Sequence, residues 1–309
     1  MDTVIKVNHL SHSYGRKLAL DNVTFDVKKG RVFGLVGENG AGKTTLIKHL
    51  LGSLCPDEGK VTLFGAEPSR DPASVLSRIG YLSEDRDLPL WMRVKELMRY
   101  TRAFYADWDE DYAQQLLKQF RLDPDAKIRN LSRGEKARAG LLCALAHRPE
   151  LLLLDEPSSG LDAVSRSDIL GVVVRSVAEE GRTVVFSSHL LDEVERVVDD
   201  VAMFHNGRLE LLMSMEDLRA THQRRVVQLP EGVSHFPALG CVLHVEGEGR
   251  EWSLVSHGDS TVTRQQLESL GARILEETIP SLNTVFVARV HANQKLDLPE
   301  PVIEASIQA

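Results

Sequence analysis

The stretch Gly37-Glu38-Asn39-Gly40-Ala41-Gly42-Lys43-Thr44 constrains this chain more than any other, because it satisfies G-x-x-x-x-G-K-[ST]. The apolar run Val32-Phe33-Gly34-Leu35-Val36 before it reads as a buried strand, and the segment from Lys43 onward as a helix. In that strand, loop and helix setting the glycines let consecutive backbone N–H groups turn inward around phosphates. The start of the helix adds the positive end of its dipole, and the Lys43 ammonium reaches the outer phosphates. Thr44 then offers its hydroxyl to Mg²⁺. The bland alternative is a glycine-rich turn that only joins strand to helix.

The rest of the chain reads as two domains, which 309 residues accommodate. Residues 4–64 form short β-rich runs broken by Gly and Asn, and a helical pattern over about 85–150 reads as a subdomain. Short apolar strands resume at Leu151–Leu154 and Thr183–Phe186, separated by a helix near Val164 to Glu179, which is parallel-sheet grammar. Asn206-Gly207 between Val201–Phe204 and Leu209–Leu211 signals a two-residue hairpin. Composition shifts near Arg219, so a first domain over 1–218 and a second over 219–290 are expected. In the second, a hairpin turns at Gly247-Glu248-Gly249, a helix opens on a capping box of Thr263 and Gln266, and Gly271 ends it. A strand near Arg273–Ile279 and a short element near Leu282–Val290 complete a small α+β unit, and 291–309 read as a flexible tail.

Three further groups can carry chemistry. Leu151-Leu152-Leu153-Leu154-Asp155-Glu156 ends a buried strand in two acids, the right place for Asp155 to face a metal and Glu156 an attacking water. Two acids in that position also read as a surface turn or a helix cap. His189 follows Thr183–Ser188 at the carboxyl edge of a strand, where ligands gather in open α/β sheets. A lone histidine is as readily structural. Leu131-Ser132-Arg133-Gly134-Glu135 opens a helix whose N-terminus suits an anion, or is an ordinary N-cap.

Composition narrows the partners. With 37 Lys and Arg against 45 Asp and Glu, the net charge of −8 argues against nucleic acid. Cys55, Cys143 and Cys241 lack disulfide or zinc spacing, which fits a reducing cytosol. No run approaches the roughly 18 apolar residues of a membrane span, so membrane association is expected through a partner.

Taken in order, the phosphate loop, Leu131 to Glu135, Leu151 to Glu156, Ser159-Gly160-Leu161-Asp162 and His189 resemble an ABC ATPase cassette over roughly residues 4–215. The match is most similar to cassettes of ABC-2-type exporters, whose chains often carry a small C-terminal extension. The resemblance implies a P-loop NTPase cassette of α/β class with a helical subdomain, followed by the small α+β domain. It implies ATP and Mg²⁺ as cofactors, with Glu156 and His189 catalytic, and with Thr44, Asp155 and Glu84 at the metal. Residues 37–44 with Thr45 would bind the nucleotide, Tyr14 would stack on adenine, and Ser132, Gly134, Glu135 and Asp162 would meet the nucleotide across a cassette dimer. Three positions depart from the pattern: Glu84 stands where glutamine is usual, Arg133 replaces a glycine and Glu135 a glutamine of the signature. The implied partners are a transmembrane permease subunit and a second cassette, a homodimer before a heterodimer, on the inner face of the cell membrane. The alternative is a soluble ABC ATPase in a non-transport assembly such as metal-cluster assembly.

Overall fold

A computed structural model describes residues 3–178, 180–233, 235–237 and 239–296. In chain order the first part runs β1 (Thr3–Tyr14), β2 (Lys17–Lys28), β3 (Val32–Gly37), α1 (Lys43–Leu50), β4 (Glu58–Leu63), α2 (Pro72–Leu76) and β5 (Ile79–Leu82). The helical stretch follows as α3 (Val94–Arg102), α4 (Glu110–Gln119) and α5 (Arg133–Leu145). Then come β6 (Leu151–Asp155), α6 (Ala163–Ala178), β7 (Thr183–Ser188), α7 (Leu191–Val197), β8 (Asp200–His205) and β9 (Arg208–Ser214). The second part comprises α8 (Met215–Thr221), β10 (His222–Gln228), β11 (Val242–Glu248), β12 (Glu251–His257), α9 (Ser260–Ser269), β13 (Arg273–Thr278) and α10 (Leu282–Leu296).

The first unit is built on a six-stranded sheet in the order β5-β6-β7-β3-β8-β9, parallel except for the β8–β9 hairpin. Its central strands β3, β6 and β7 are buried along their whole length, which is why they read as unbroken apolar runs rather than alternating ones. An antiparallel sheet, β2-β1-β4, adds the alternating strands. Leu46, Ile47 and Leu50 of α1 are fully buried against both sheets, in one core with Ile5, Leu20, Phe33 and Leu153. At about 25 cal/mol per Å² of apolar surface, that packing anchors the helix whose first residue is Lys43. The stacked pair Phe25 and Phe33, with ring centroids 5.2 Å apart, ties one sheet to the other.

The division between units falls at Met215/Glu216, a little before the expected end at Leu218. Leu218 belongs to the second unit because α8 is held there: Leu218 is fully buried and its carbonyl accepts from His222 Nδ1 at 3.1 Å. The second unit is a four-stranded antiparallel sheet, β11-β12-β10-β13, with α9 and α10 packed on it. Val227, Leu229, Leu254 and Leu267 form its core.

Three expectations here need correction. The N-cap of α9 is Asp259, whose side chain accepts from Thr261 N–H, and not Thr263. Thr263 is buried inside the helix and its hydroxyl donates to Cys241 Sγ at 3.2 Å. The hairpin turns at Gly249-Arg250, because β11 continues to Glu248. Gly247 lies within the strand, where a Cβ would come 2.4 Å from the Glu251 carbonyl oxygen. Finally, the expected tail from 291 is helical as far as Leu296, since α10 is longer than the short element anticipated. Residues 297–309 of that tail, Glu179 of the α6 region and the first two residues lie outside the described residues.

Candidate nucleotide site

The loop between β3 and α1 is clamped by neighbouring backbone. A Cβ on Gly37 would lie 2.3 Å from the Phe204 carbonyl oxygen, so only glycine lets the loop leave the sheet there. Gly42 has φ 109°, and a Cβ on it would meet the Ala19 carbonyl oxygen at 2.7 Å. The Asn206-Gly207 turn braces the loop from the far side: Gly207 N–H donates to Ala41 O at 3.1 Å, and Asp21 N–H donates to Gly207 O at 2.9 Å.

Lys43 is 5% exposed. Its Nζ donates to Gly37 O at 2.7 Å and Glu38 O at 3.2 Å, and lies 3.2 Å from Glu156 Oε1. Glu156 is 3% exposed and sits in left-handed backbone with φ 45°, unusual for a residue with a Cβ. Its Oε2 accepts from His189 Nδ1 at 2.8 Å and from His189 N–H at 3.3 Å. Its backbone N–H donates to Ser187 Oγ at 2.8 Å, and that hydroxyl donates in turn to Asp155 Oδ1 at 2.7 Å. The apolar strands β6 and β7 thus deliver both acids and His189 to one sheet edge.

The charges there do not balance. Burial pushes the Asp155 carboxyl above its usual range, and the neighbouring Glu156 adds to this, against hydrogen bonds from Ser187 and Thr44. Burial followed by the charges of Glu156, Asp155 and Asp85 pushes Glu84 up as well. Glu156 Oε1, beside the ammonium, makes no well-directed hydrogen bond. Three carboxylates around one lysine attract further positive charge. The Asp155 carboxylate and the Thr44 hydroxyl, which helps to hold that carboxyl down, are the hard oxygen donors that Mg²⁺ accepts alongside phosphate oxygens. Among the described residues no group of three or more His, Cys, Asp or Glu converges on a common metal position. A magnesium ion held by one or two protein oxygens needs none.

A cleft of about 250 Å³ opens over these groups, lined by Tyr14, Asn39, Gly40, Gly42, Lys43, Thr44, Thr45, Glu84 and Glu156. Tyr14 is 47% exposed at its edge, with its ring edge-on to His12, centroids 4.9 Å apart. An exposed aromatic supported from beneath suits a flat ligand.

Ser132, Gly134, Glu135 and Asp162 do not line this cleft. Ser132 and Glu135 form a reciprocal cap on α5, Ser132 Oγ accepting from Glu135 N–H and Glu135 Oε2 from Ser132 N–H. Asp162 accepts from the backbone of Val164 and Ser165 and from Ser165 Oγ, capping α6. Gly134 packs so closely on Ser165 that a Cβ would fall 2.2 Å from its Oγ. The two helix starts are therefore built against each other. Sequence reasoning missed Ser187, which the structure joins to both acids, and Arg86, which donates to two carbonyls just beyond Glu156. The position of Ser187 at the end of an apolar strand was a usable signal; nothing marked Arg86.

A model of the ABC transporter family matches residues 20–159. The bacitracin transport ATP-binding protein BcrA of Bacillus licheniformis is 33% identical over 265 residues, spanning 82% of this chain and 86% of its own. The Nod factor export ATP-binding protein I of Rhizobium leguminosarum bv. viciae is 36% identical over 204 residues, 64% of this chain and 65% of its own. A solved ATP-binding subunit of an ABC transporter superposes with a TM-score of 0.65 at 30% identity, covering 71% of this chain and 92% of that one.

Proposed function

Since the chain belongs to the ABC transporter family as an ATP-binding subunit, we propose that two cassettes close around two ATP molecules and that hydrolysis drives export through a separate transmembrane permease subunit. The observation that carries this reading is Glu156, buried with the Lys43 ammonium on one carboxylate oxygen and His189 on the other. Residues 37–45 cradle the phosphates with backbone N–H groups and Lys43, while Tyr14 stacks on the base. Thr44 and Asp155 would hold Mg²⁺, with Glu84 facing the ion from the cleft wall, and the ion when bound would spread the charge of the phosphates. Glu156 accepts a proton from water as its oxygen bonds to the γ-phosphorus and the bond to the ADP oxygen breaks. His189 fixes the Glu156 carboxylate and faces the leaving phosphate. Ser132, Gly134, Glu135 and Asp162 meet the nucleotide of the second cassette, in a homodimer before a heterodimer.

No helix among the described residues is long and apolar enough to cross a membrane; in this reading the membrane path belongs to the permease, and the chain sits on the inner face of the cell membrane through it. Export as the direction draws support from the Nod factor export relative. Sizing chromatography of the Glu156→Gln chain tests the dimer: with Mg²⁺ and ATP it is expected to elute as a dimer, and without nucleotide as a monomer. A monomer under both conditions would remove the two-cassette sandwich.

A further inference from the structure

The loop after β5 carries Glu84 at the cleft and, two residues later, Arg86. Its guanidinium reaches across about seventy residues of sequence to the turn that follows Glu156. A single nitrogen, Nη2, lies 3.1 Å from the Pro157 carbonyl oxygen and 2.8 Å from that of Ser159. Its two N–H groups match two acceptors, and both bonds are strengthened by the cation. Arg86 itself is in left-handed backbone, φ 50°, a conformation that a residue with a Cβ adopts only when its surroundings demand it. The turn it grips is held elsewhere too. Ser158 Oγ donates to Glu193 Oε2 at 2.6 Å, Glu193 pairs with Arg166 at 2.9 Å, and the Arg133 guanidinium packs over Gly160. Only Arg86, however, comes from the loop that bears Glu84.

We infer that Arg86 is a positioning residue for hydrolysis, holding the Pro157–Ser159 turn so that Glu156 keeps its left-handed backbone and its carboxylate its aim. The carbonyls it holds are one and three residues beyond Glu156, so losing both bonds loosens the backbone on the C-terminal side of the base, where the Ser158–Glu193 bond and the Ser159 N–H to Glu156 O bond remain. On the N-terminal side Ser187 still anchors Glu156 N–H. Nucleotide binding should survive, because Arg86 is not among the residues lining the cleft over Lys43. Turnover should fall, since a small misplacement of a catalytic group costs on the order of 10- to 100-fold. The same link gives the Glu84 loop a mechanical hold on the catalytic turn: a displacement of that loop moves the turn with it. This inference rests on Glu156 being the catalytic base.

The test is steady-state ATP hydrolysis by the full-length Arg86→Ala, Arg86→Gln and Arg86→Lys chains, with Tm measured in parallel and Glu156→Gln as control. Expected for Arg86→Ala is a kcat lowered roughly 10-fold or more, with KM for ATP within about threefold of wild type. Arg86→Lys, which keeps a charged donor on a shorter reach, should recover part of kcat. Equal kcat in wild type and Arg86→Ala, or a loss carried wholly by KM, would overturn the inference. Should Arg86→Ala fail to fold, Arg86→Gln and Arg86→Lys decide: both at the wild-type kcat overturn it, and graded kcat at unchanged KM supports it. If Glu156→Gln itself turns over normally, the base assignment fails. If that control is inactive while Arg86→Ala is normal, only the positioning role fails.

Discussion

Lys43 in the first unit and Arg225 in the second are both buried cations, and their surroundings differ in what is left over. Arg225 is fully buried and every nitrogen is used: Nε donates to Glu277 Oε1 at 3.1 Å, Nη1 to Ser256 Oγ at 3.1 Å, and Nη2 to Ser260 Oγ at 2.6 Å and Glu277 Oε1 at 2.7 Å. Burial alone would raise the Glu277 carboxyl, but the hydrogen bond and charge of Arg225, with Arg264 behind them, hold it below its usual range. Around Lys43 the outcome is reversed. Asp155 and Glu84 are pushed up, and Glu156 Oε1 lacks a well-directed hydrogen bond. A closed network of this kind ties β10, β12, β13 and α9 together and leaves nothing for a ligand. The open one around Lys43 leaves negative charge and directed oxygens to be met from outside.

The comparison breaks most visibly if Arg225 is removed. Arg225→Ala leaves Glu277 without its main partner and is expected to destabilise the second unit by about 3 kcal/mol, with ATP affinity within twofold of wild type. Thermal unfolding and equilibrium nucleotide binding report the two effects separately, and weakened ATP binding would show that the pair is not purely structural. Lys43→Ala should do the opposite, lowering ATP affinity at least about 100-fold, since an ammonium at an anion cradle is replaced by a methyl group. Unchanged affinity would remove the phosphate-loop assignment.

Asp155→Asn sharpens the contrast through stability. A carboxyl whose pKa is raised on folding destabilises the folded state once ionised, so the deficit grows as pH rises through the unfolded and then the folded pKa. The asparagine variant keeps the oxygen that accepts from Ser187 yet carries no charge. It is expected to be more stable than wild type at pH 7, with the gain shrinking as the pH falls. A lower Tm at pH 7 would contradict this. Glu84→Gln should act in the same direction by less, a Tm rise of about 1 °C, because Glu84 is desolvated only on the side facing the cleft and is otherwise open to solvent, which screens its repulsions.

How far the sequence could be read depended on whether a feature's meaning was local. Gly37 to Thr44 was legible because a glycine spacing between strand and helix has one backbone solution, and Asp155 and Glu156 because a fully buried strand must end somewhere polar. In the second unit the helix start was misread at Thr263, since Asp259 is an equally good cap and only the buried position of Thr263 decides between them. The hairpin turn was misread for a similar reason: Gly247 is demanded by the close approach of Glu251 across the strands, not by a turn. Arg86 and Ser187 act on segments far away in the chain, through contacts created only when β5, β6 and β7 lie side by side. Ser132 was legible from the residues as the cap of the helix that Leu131 to Glu135 opens, whereas Asp162 was singled out by resemblance alone; the structure adds that Glu135 closes the Ser132 cap and that Asp162 caps a helix of its own.

The most direct test of the contrast between the open and the closed network is single-turnover phosphate release by the Glu156→Gln chain, with ATP affinity measured on the same preparation. The amide keeps the shape of the side chain but cannot take the proton from water, so release should slow at least about 100-fold while affinity stays within about threefold. Phosphate release at the wild-type rate would contradict the assignment of Glu156 as the base.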